Sequence, residues 1–161
     1  DSPKILVNDI NPDSNLNKKF NIEWADKETI YKQSDIITIH TPLTAQTKNM
    51  IRKDQLLSMK NDAIIINTAR GGIINEQDLY EVMQAGHLSG AAIDVFDFEP
   101  YDGKLREIQS CILTAHMGSM SVDCRTRMEI EATEEAVRFL TNQVLEGVVP
   151  EEEYAVQREG L

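Results

Sequence analysis

The stretch Ala63-Ile64-Ile65-Ile66-Asn67-Thr68-Ala69-Arg70-Gly71-Gly72 decides how this chain is read. A short β-branched run closed by turn residues reads as a buried strand, and its continuity, rather than alternation, suits a parallel sheet. Gly71 and Gly72 end the strand. Asn75 then stands where a helix cap is needed, and Leu79, Val82 and Met83 give the helix an apolar face. Gly86 is placed as its C-terminal stop.

Working outward, the same kind of unit recurs. Lys4–Val7 reads as a buried strand that ends in a loop at Pro12, and Phe20–Trp24 as a second strand. Lys27–Gln33 suits a brief helix, and Asp35–His40 is a β-branched strand stopped by Pro42. Lys53–Met59 is a short helix with Leu56, Leu57 and Met59 on one side. Ala91–Val95 and Cys111–Thr114 are further strands. Ser119 or Ser121 caps a long helix to about Val144, with Met128, Ala132, Ala136, Val137 and Leu140 apolar. Continuous apolar strands alternating with helices predict an α/β fold whose doubly wound parallel sheet is covered on both faces. The domain is assigned to residues 1–145, followed by an acidic tail over 146–161 that contains Glu151, Glu152 and Glu153.

At 161 residues, 41% hydrophobic and 27% charged, the chain is of single-domain size and not of disordered composition. A net charge of −11 argues against a nucleic-acid partner, which needs clustered Lys and Arg. No apolar run approaches the roughly 18–20 residues that span a bilayer, and no signal-peptide pattern is present, so a cytoplasmic protein without a membrane partner is expected. Cys111 and Cys124 show neither CxxC spacing nor a matching His cluster; reduced thiols and no metal site are expected. The chain begins at Asp1 rather than Met and is read as part of a longer protein.

Ligands of open parallel sheets bind beyond the carboxyl ends of the strands. Asp9, His40, Thr41, Thr68, Arg70, Asp94 and His116 all sit at such ends and form a polar rim. Arg70 offers a planar fork for a carboxylate, and the small neighbours Ala69 and Gly71 allow close approach. His116 lies between a strand and a helix and carries a side chain that exchanges protons near neutral pH. Glu99 is a carboxylate that can fix an imidazole's tautomer and favour its protonated form. Taken singly, Arg70 and His116 read first as ordinary residues after a strand and in a turn, and Glu99 as a loop acid before a proline. Of the other histidines, His40 is a possible rim residue and His87 is expected to face solvent. Together Arg70, Glu99 and His116 suit the interconversion of a 2-hydroxy acid and a 2-oxo acid, which needs a carboxylate anchor, a proton carrier and a hydride from a cofactor.

The ordered motifs carry a resemblance. Asn67–Gly72, with Asn75, Glu76, Asp78 and Leu79 after it, resembles the segment bearing the catalytic Arg in D-isomer-specific 2-hydroxyacid dehydrogenases of the phosphoglycerate dehydrogenase kind. Gly90–Pro100 resembles the segment with the catalytic Glu before proline, and Thr114–Gly118 the segment with the catalytic His. His40–Leu43, with Thr47 after it, resembles the cofactor-side loop. The agreement runs from about Lys4 to Leu140.

The resemblance implies a Rossmann-type NAD-binding domain, with Arg70, Glu99 and His116 catalytic. It implies that Asp9 binds the adenosine ribose, favouring NAD over NADP because a carboxylate repels a 2′-phosphate. Thr41 and Pro42 would line the adenine and ribose side, beside His40. Thr68 and Asp94 would lie near the nicotinamide, Ala69 would belong to the cofactor site, and Gly118 would admit the cofactor closely. A small 2-hydroxy or 2-oxo acid as substrate and a homodimer are implied too; phosphoglycerate, glycerate, lactate and larger acids stay open.

Three features depart from the family pattern. Ala115 replaces the proline common before the catalytic His, and the segment from Tyr101 to Ser110 is short. The family's G-x-G-x-x-G turn, which holds the pyrophosphate, has no counterpart among Gly71, Gly72, Gly86, Gly90, Gly103, Gly118, Gly147 and Gly160. The expectation is a sheet lacking the first strand–helix unit and the substrate domain, seen as a fragment with little activity alone. The alternative is a truncated, non-catalytic relative acting as an interaction or regulatory module.

Overall fold

The computed structural model describes residues 3–148. Its strands are β1 (Ile5–Val7), β2 (Ile22–Trp24), β3 (Ile36–Ile39), β4 (Ile64–Asn67), β5 (Gly90–Ile93) and β6 (Cys111–Leu113). Its helices are α1 (Ser14–Phe20), α2 (Lys27–Gln33), α3 (Lys53–Ser58), α4 (Glu76–Gln84) and α5 (Val122–Leu140). All pairings are parallel, in a four-stranded sheet of order β3-β4-β5-β6 and a separate β1-β2 pair. This is the Rossmann-like α/β arrangement, although no described strand joins the two sheets.

Register explains the core. Ile37 sits opposite Ile65, which sits opposite Ala91, so alternate residues of three strands point to one face. Tyr31 of α2, Leu56 of α3 and Leu79, Val82 and Met83 of α4 complete that cluster. Helix α3 packs between α2 and α4. Asn75 caps α4 by accepting from the amide of Asp78 (3.0 Å).

The opposite face differs from expectation. Ile36 is 60% and Ile112 67% exposed, and Ile64 and Ile66 are half-buried. Among the described residues the helices packed in sequence, α2 to α4, cover one face, and α5 buries none of its side chains. The apolar character of Ile64–Ile66 therefore records a two-faced strand of which one face is covered here.

Local differences have local causes. Residues 14–20 form a helix rather than a loop: Asp13 accepts from Asn15 N (2.8 Å), and Asn21 ends it in the left-handed region (φ 51°). Asn17 fastens α1 to β2 by accepting from Trp24 Nε1 (2.5 Å). The second strand thus starts at Ile22, and Phe20 belongs to the helix. Ser121, not Ser119, caps α5, accepting from Cys124 N (3.2 Å). Helix α5 stops at Leu140, short of Val144. The amides of Glu146 and Gly147 then turn back to donate to the Glu135 carboxylate. Most of the acidic stretch, from residue 149 on, lies outside the described residues.

Candidate active site

Because β3 to β6 are parallel, their carboxyl ends share one edge. The loops leaving that edge carry His40–Pro42, Thr68–Arg70, Asp94 and His116. The turn after β4 is held from inside. Asn67, only 2% exposed, donates through Nδ2 to Arg70 O (2.9 Å) and accepts at Oδ1 from Ala69 N (3.1 Å). One buried amide thus satisfies two turn groups and fixes where the Arg70 side chain starts. The guanidinium is exposed, with Nη1 donating to Ala69 O (2.6 Å), and a guanidinium has five N–H donors in all.

The turn after β6 is held from outside, by Asp94, the residue that follows β5. His116 takes a left-handed conformation (φ 53°), tolerated by histidine more than by most side chains but still sparsely populated. Asp94 holds it there. Its carbonyl accepts from His116 N (2.8 Å) and its carboxylate accepts from Thr114 Oγ1 (2.5 Å) and Met117 N (2.9 Å). Partial burial pushes the Asp94 carboxyl up, but the Thr114 hydroxyl, the Met117 amide and His116 together bring it below its ordinary value.

Glu99 completes the arrangement. Its Oε1 accepts from Phe96 N (3.0 Å), and Oε2 lies 3.0 Å from His116 Nδ1. The Phe96 amide, then the imidazole, hold the Glu99 carboxyl below the usual range, so it stays ionised beside the ring. Nδ1 engaged by a carboxylate donates its proton there, which leaves Nε2 to exchange one.

Arg70, Glu99 and His116 line one open cleft of about 310 Å³ with Leu43, Gly71, Phe96 and Asp97. The last four include Leu43, Phe96 and Asp97, which the sequence reading did not single out. Leu43 follows Pro42 in the quoted loop, and Phe96 and Asp97 precede Glu99, so adjacency was their only signal.

The remaining rim residues fall into two groups. Thr41 Oγ1 is buried without a hydrogen-bond partner among the described residues, a state that costs about 1–3 kcal/mol unless a ligand relieves it. A Cβ on Gly118 would meet nothing within 4 Å, so space lies open in front of that backbone. Pro42 and Thr68 are exposed and Ala69 is half-buried. Asp94 Oδ2 accepts from Met117 N (3.1 Å), and the Gly118 backbone amide also supports this carboxylate. These features fit a dinucleotide bound along the edge. Asp9 and His40 stand less directly in place. Asp9 lies beyond β1 of the separate strand pair, its Oδ1 accepting from Asn11 N (2.8 Å), and His40 turns its Nε2 to Thr38 Oγ1 (2.9 Å).

Elsewhere, His87 is half-buried rather than solvent-facing. Its two ring nitrogens lie 3.1 Å from Asn61 Oδ1 and 3.1 Å from Leu56 O, a tie to the end of α3. Both cysteines are free, and burial pushes the Cys111 thiol up to about 11, away from nucleophilic use. Among the described residues no helix is long and apolar enough to cross a membrane.

Comparison with known proteins agrees with this geometry. Residues 2–118 match the family described as D-isomer specific 2-hydroxyacid dehydrogenase, NAD binding domain. The chain is 36% identical to hydroxypyruvate reductase of Thermotoga maritima over 123 residues, 74% of this chain and 40% of that protein. It is 38% identical to D-3-phosphoglycerate dehydrogenase of Bacillus subtilis over 123 residues, 76% of this chain and 23% of that one. D-lactate dehydrogenase from Lactobacillus jensenii, solved with NAD+, superposes with a TM-score of 0.80 at 28% identity, covering 91% of this chain and 48% of that one. The chain thus spans less than half the length of the relatives it matches. The chain belongs to the D-isomer-specific 2-hydroxyacid dehydrogenases, its residues 2–118 matching their NAD-binding domain.

Proposed function

We propose that this chain is the cofactor half of an NAD-dependent oxidoreductase that interconverts small D-2-hydroxy acids and 2-oxo acids. The observation that carries the reading is the single cleft walled by Arg70, Glu99 and His116, with the Glu99–His116 pair 3.0 Å apart.

Arg70 anchors the substrate carboxylate, using N–H donors other than the one spent on Ala69 O. His116 carries a proton on Nε2 and delivers it to the substrate's carbonyl oxygen, or takes it from the hydroxyl in the reverse direction. Glu99 holds the Nδ1 side of that ring and fixes its orientation and tautomer. When bound, the cofactor would supply the redox chemistry, NADH giving a hydride for reduction of the 2-oxo acid and NAD+ taking one for oxidation of the 2-hydroxy acid. Thr41, Pro42, His40 and Asp9 serve its adenosine side, and Thr68, Ala69, Asp94 and Gly118 its nicotinamide side. We place the protein in the cytoplasm, and expect the homodimer that the family resemblance implies.

The test is NADH binding and NADH-dependent reduction of glyoxylate, hydroxypyruvate and phosphohydroxypyruvate by the protein expressed from its natural reading frame. Turnover of at least one acid, with Arg70→Ala raising KM more than it lowers kcat, is the expected result. Absence of NADH binding there would favour the non-catalytic alternative. The 161 residues by themselves are expected to turn over little or none, since hydride transfer depends on a positioned nicotinamide.

A further inference from the structure

Glu76 opens α4 next to the capping residue Asn75, on the same segment that begins with Arg70. Its carboxylate does not face solvent as a first-turn acid usually does. It is half-buried, and Oε1 accepts from the backbone N of Asp97 (2.7 Å). The peptide that carries this amide, Phe96–Asp97, is gripped on other sides as well. Gly71 packs against it so closely that a Cβ there would overlap the Phe96 carbonyl. The Phe96 ring stacks on Tyr101 with centroids 4.1 Å apart. One residue earlier, the Phe96 amide donates to Glu99 Oε1 (3.0 Å), whose Oε2 meets His116.

Two carboxylates therefore hold consecutive amides of one loop. Glu99 belongs to the loop itself; Glu76 comes from the helix that follows the Arg70 turn. Resting on the function proposed above, we infer that Glu76 is a positioning residue that fixes the Glu99–His116 pair relative to Arg70. Gly71 sets how near the two segments come, and Glu76 sets the orientation of the loop at that distance. If the Asp97 amide were released, the Phe96 amide could turn with it. Glu99 would then lose its largest stabilising donor, and the side chain that orients His116 would be held less firmly.

The partly buried site also raises the Glu76 carboxyl above its ordinary value, with the nearby Asp97 charge adding to that effect while its amide opposes it. A carboxylate kept at such a cost, away from the cleft wall, is better explained by the amide it accepts than by exposure at a helix start.

The test needs no turnover and is made on this chain: NMR titration of the Glu99 carboxylate and hydrogen exchange of the Asp97 amide in wild type, Glu76→Ala and Glu76→Gln. A Gln carbonyl oxygen accepts the same bond without charge. Glu76→Ala is expected to move the Glu99 titration upward, toward an ordinary glutamate, and to speed Asp97 exchange about 10-fold, as for loss of one hydrogen bond. Glu76→Gln is expected to leave the Glu99 titration near wild type. An unchanged Glu99 titration in Glu76→Ala, or equal shifts in both variants, would overturn the inference. If either variant fails to fold, the same readouts on Glu76→Asp, one methylene too short to reach, replace it with the alanine expectation. Failure of the dehydrogenase reading would appear as absent NADH turnover and would leave these titrations unaffected.

Discussion

Between β3 and β6, Leu56, Ile65, Ile73 and Leu105 are wholly buried, whereas along α5 Met128 and Val137 are about half exposed and Phe139 and Leu140 are 70% and 78% exposed. The two regions use similar residues. The sheet's apolar face shares one core cluster with α2, α3 and α4, whereas α5 buries none of its side chains. What holds the end of α5 is charge: Arg138 pairs with Glu135 (2.7 Å), and Glu135 accepts the amides of Glu146 and Gly147. Apolar patterning tells which face seeks cover, and the cover itself is a tertiary fact.

The contrast can be broken by mutation. Leu56→Ala is expected to cost about 2–5 kcal/mol in urea unfolding, through lost transfer energy and a cavity. Gly71→Ala is expected to cost about 1–3 kcal/mol, since a Cβ must push the Phe96 peptide aside. It should also perturb the amide signals of Phe96 and Asp97 in NMR spectra. Phe139→Ala should change stability by less than about 0.5 kcal/mol. A Phe139→Ala loss as large as that of Leu56→Ala would mean that α5 packs in solution against something, and the contrast would fall.

Acid sharpens the same contrast. Burial pushes the Glu135 carboxyl up, but the Glu146 and Gly147 amides and Arg138 outweigh it and bring it below its ordinary value of 4.5. A depressed carboxylate contributes stability that is present above its unfolded value and lost as pH falls through its folded one. As pH falls below 4.5, the Glu146 and Gly147 amides should therefore lose protection, measured against the intrinsic exchange rate at each pH, while the Ile65 amide keeps its own. Equal loss of protection at both places would contradict the separation of charge-held and core-held regions.

The part of the fold written in local pattern was legible. The Ile64–Ile66 strand, the Asn75 cap and the strand order of the motifs each depend on neighbouring residues. Helix α1 was not legible, because Ser14, Asn15 and Asn17 favour turns and only the bond from Trp24 to Asn17 reveals what they join. The separation of β1-β2 from the larger sheet was equally invisible, since pairing is non-local. At the site, Arg70, Glu99 and His116 could be named from their motifs, whereas the supports beneath them could not. Asn67 reads as the last residue of a strand, Glu76 as a first-turn acid, and Asp94 as a rim carboxylate. Their service as backbone anchors emerges only when three loops meet at the sheet edge.

The most direct test of the central claim is kcat for NADH-dependent 2-oxo acid reduction by His116→Ala, Glu99→Gln and the double variant, in the protein expressed from its natural reading frame. His116→Ala is expected to lose about 100- to 10,000-fold. Glu99→Gln should lose less, and the double variant should be no worse than His116→Ala, because Glu99 acts through the ring it holds. An unchanged kcat in His116→Ala, or losses that multiply in the double variant, would contradict the assignment of this pair as one proton-transferring unit.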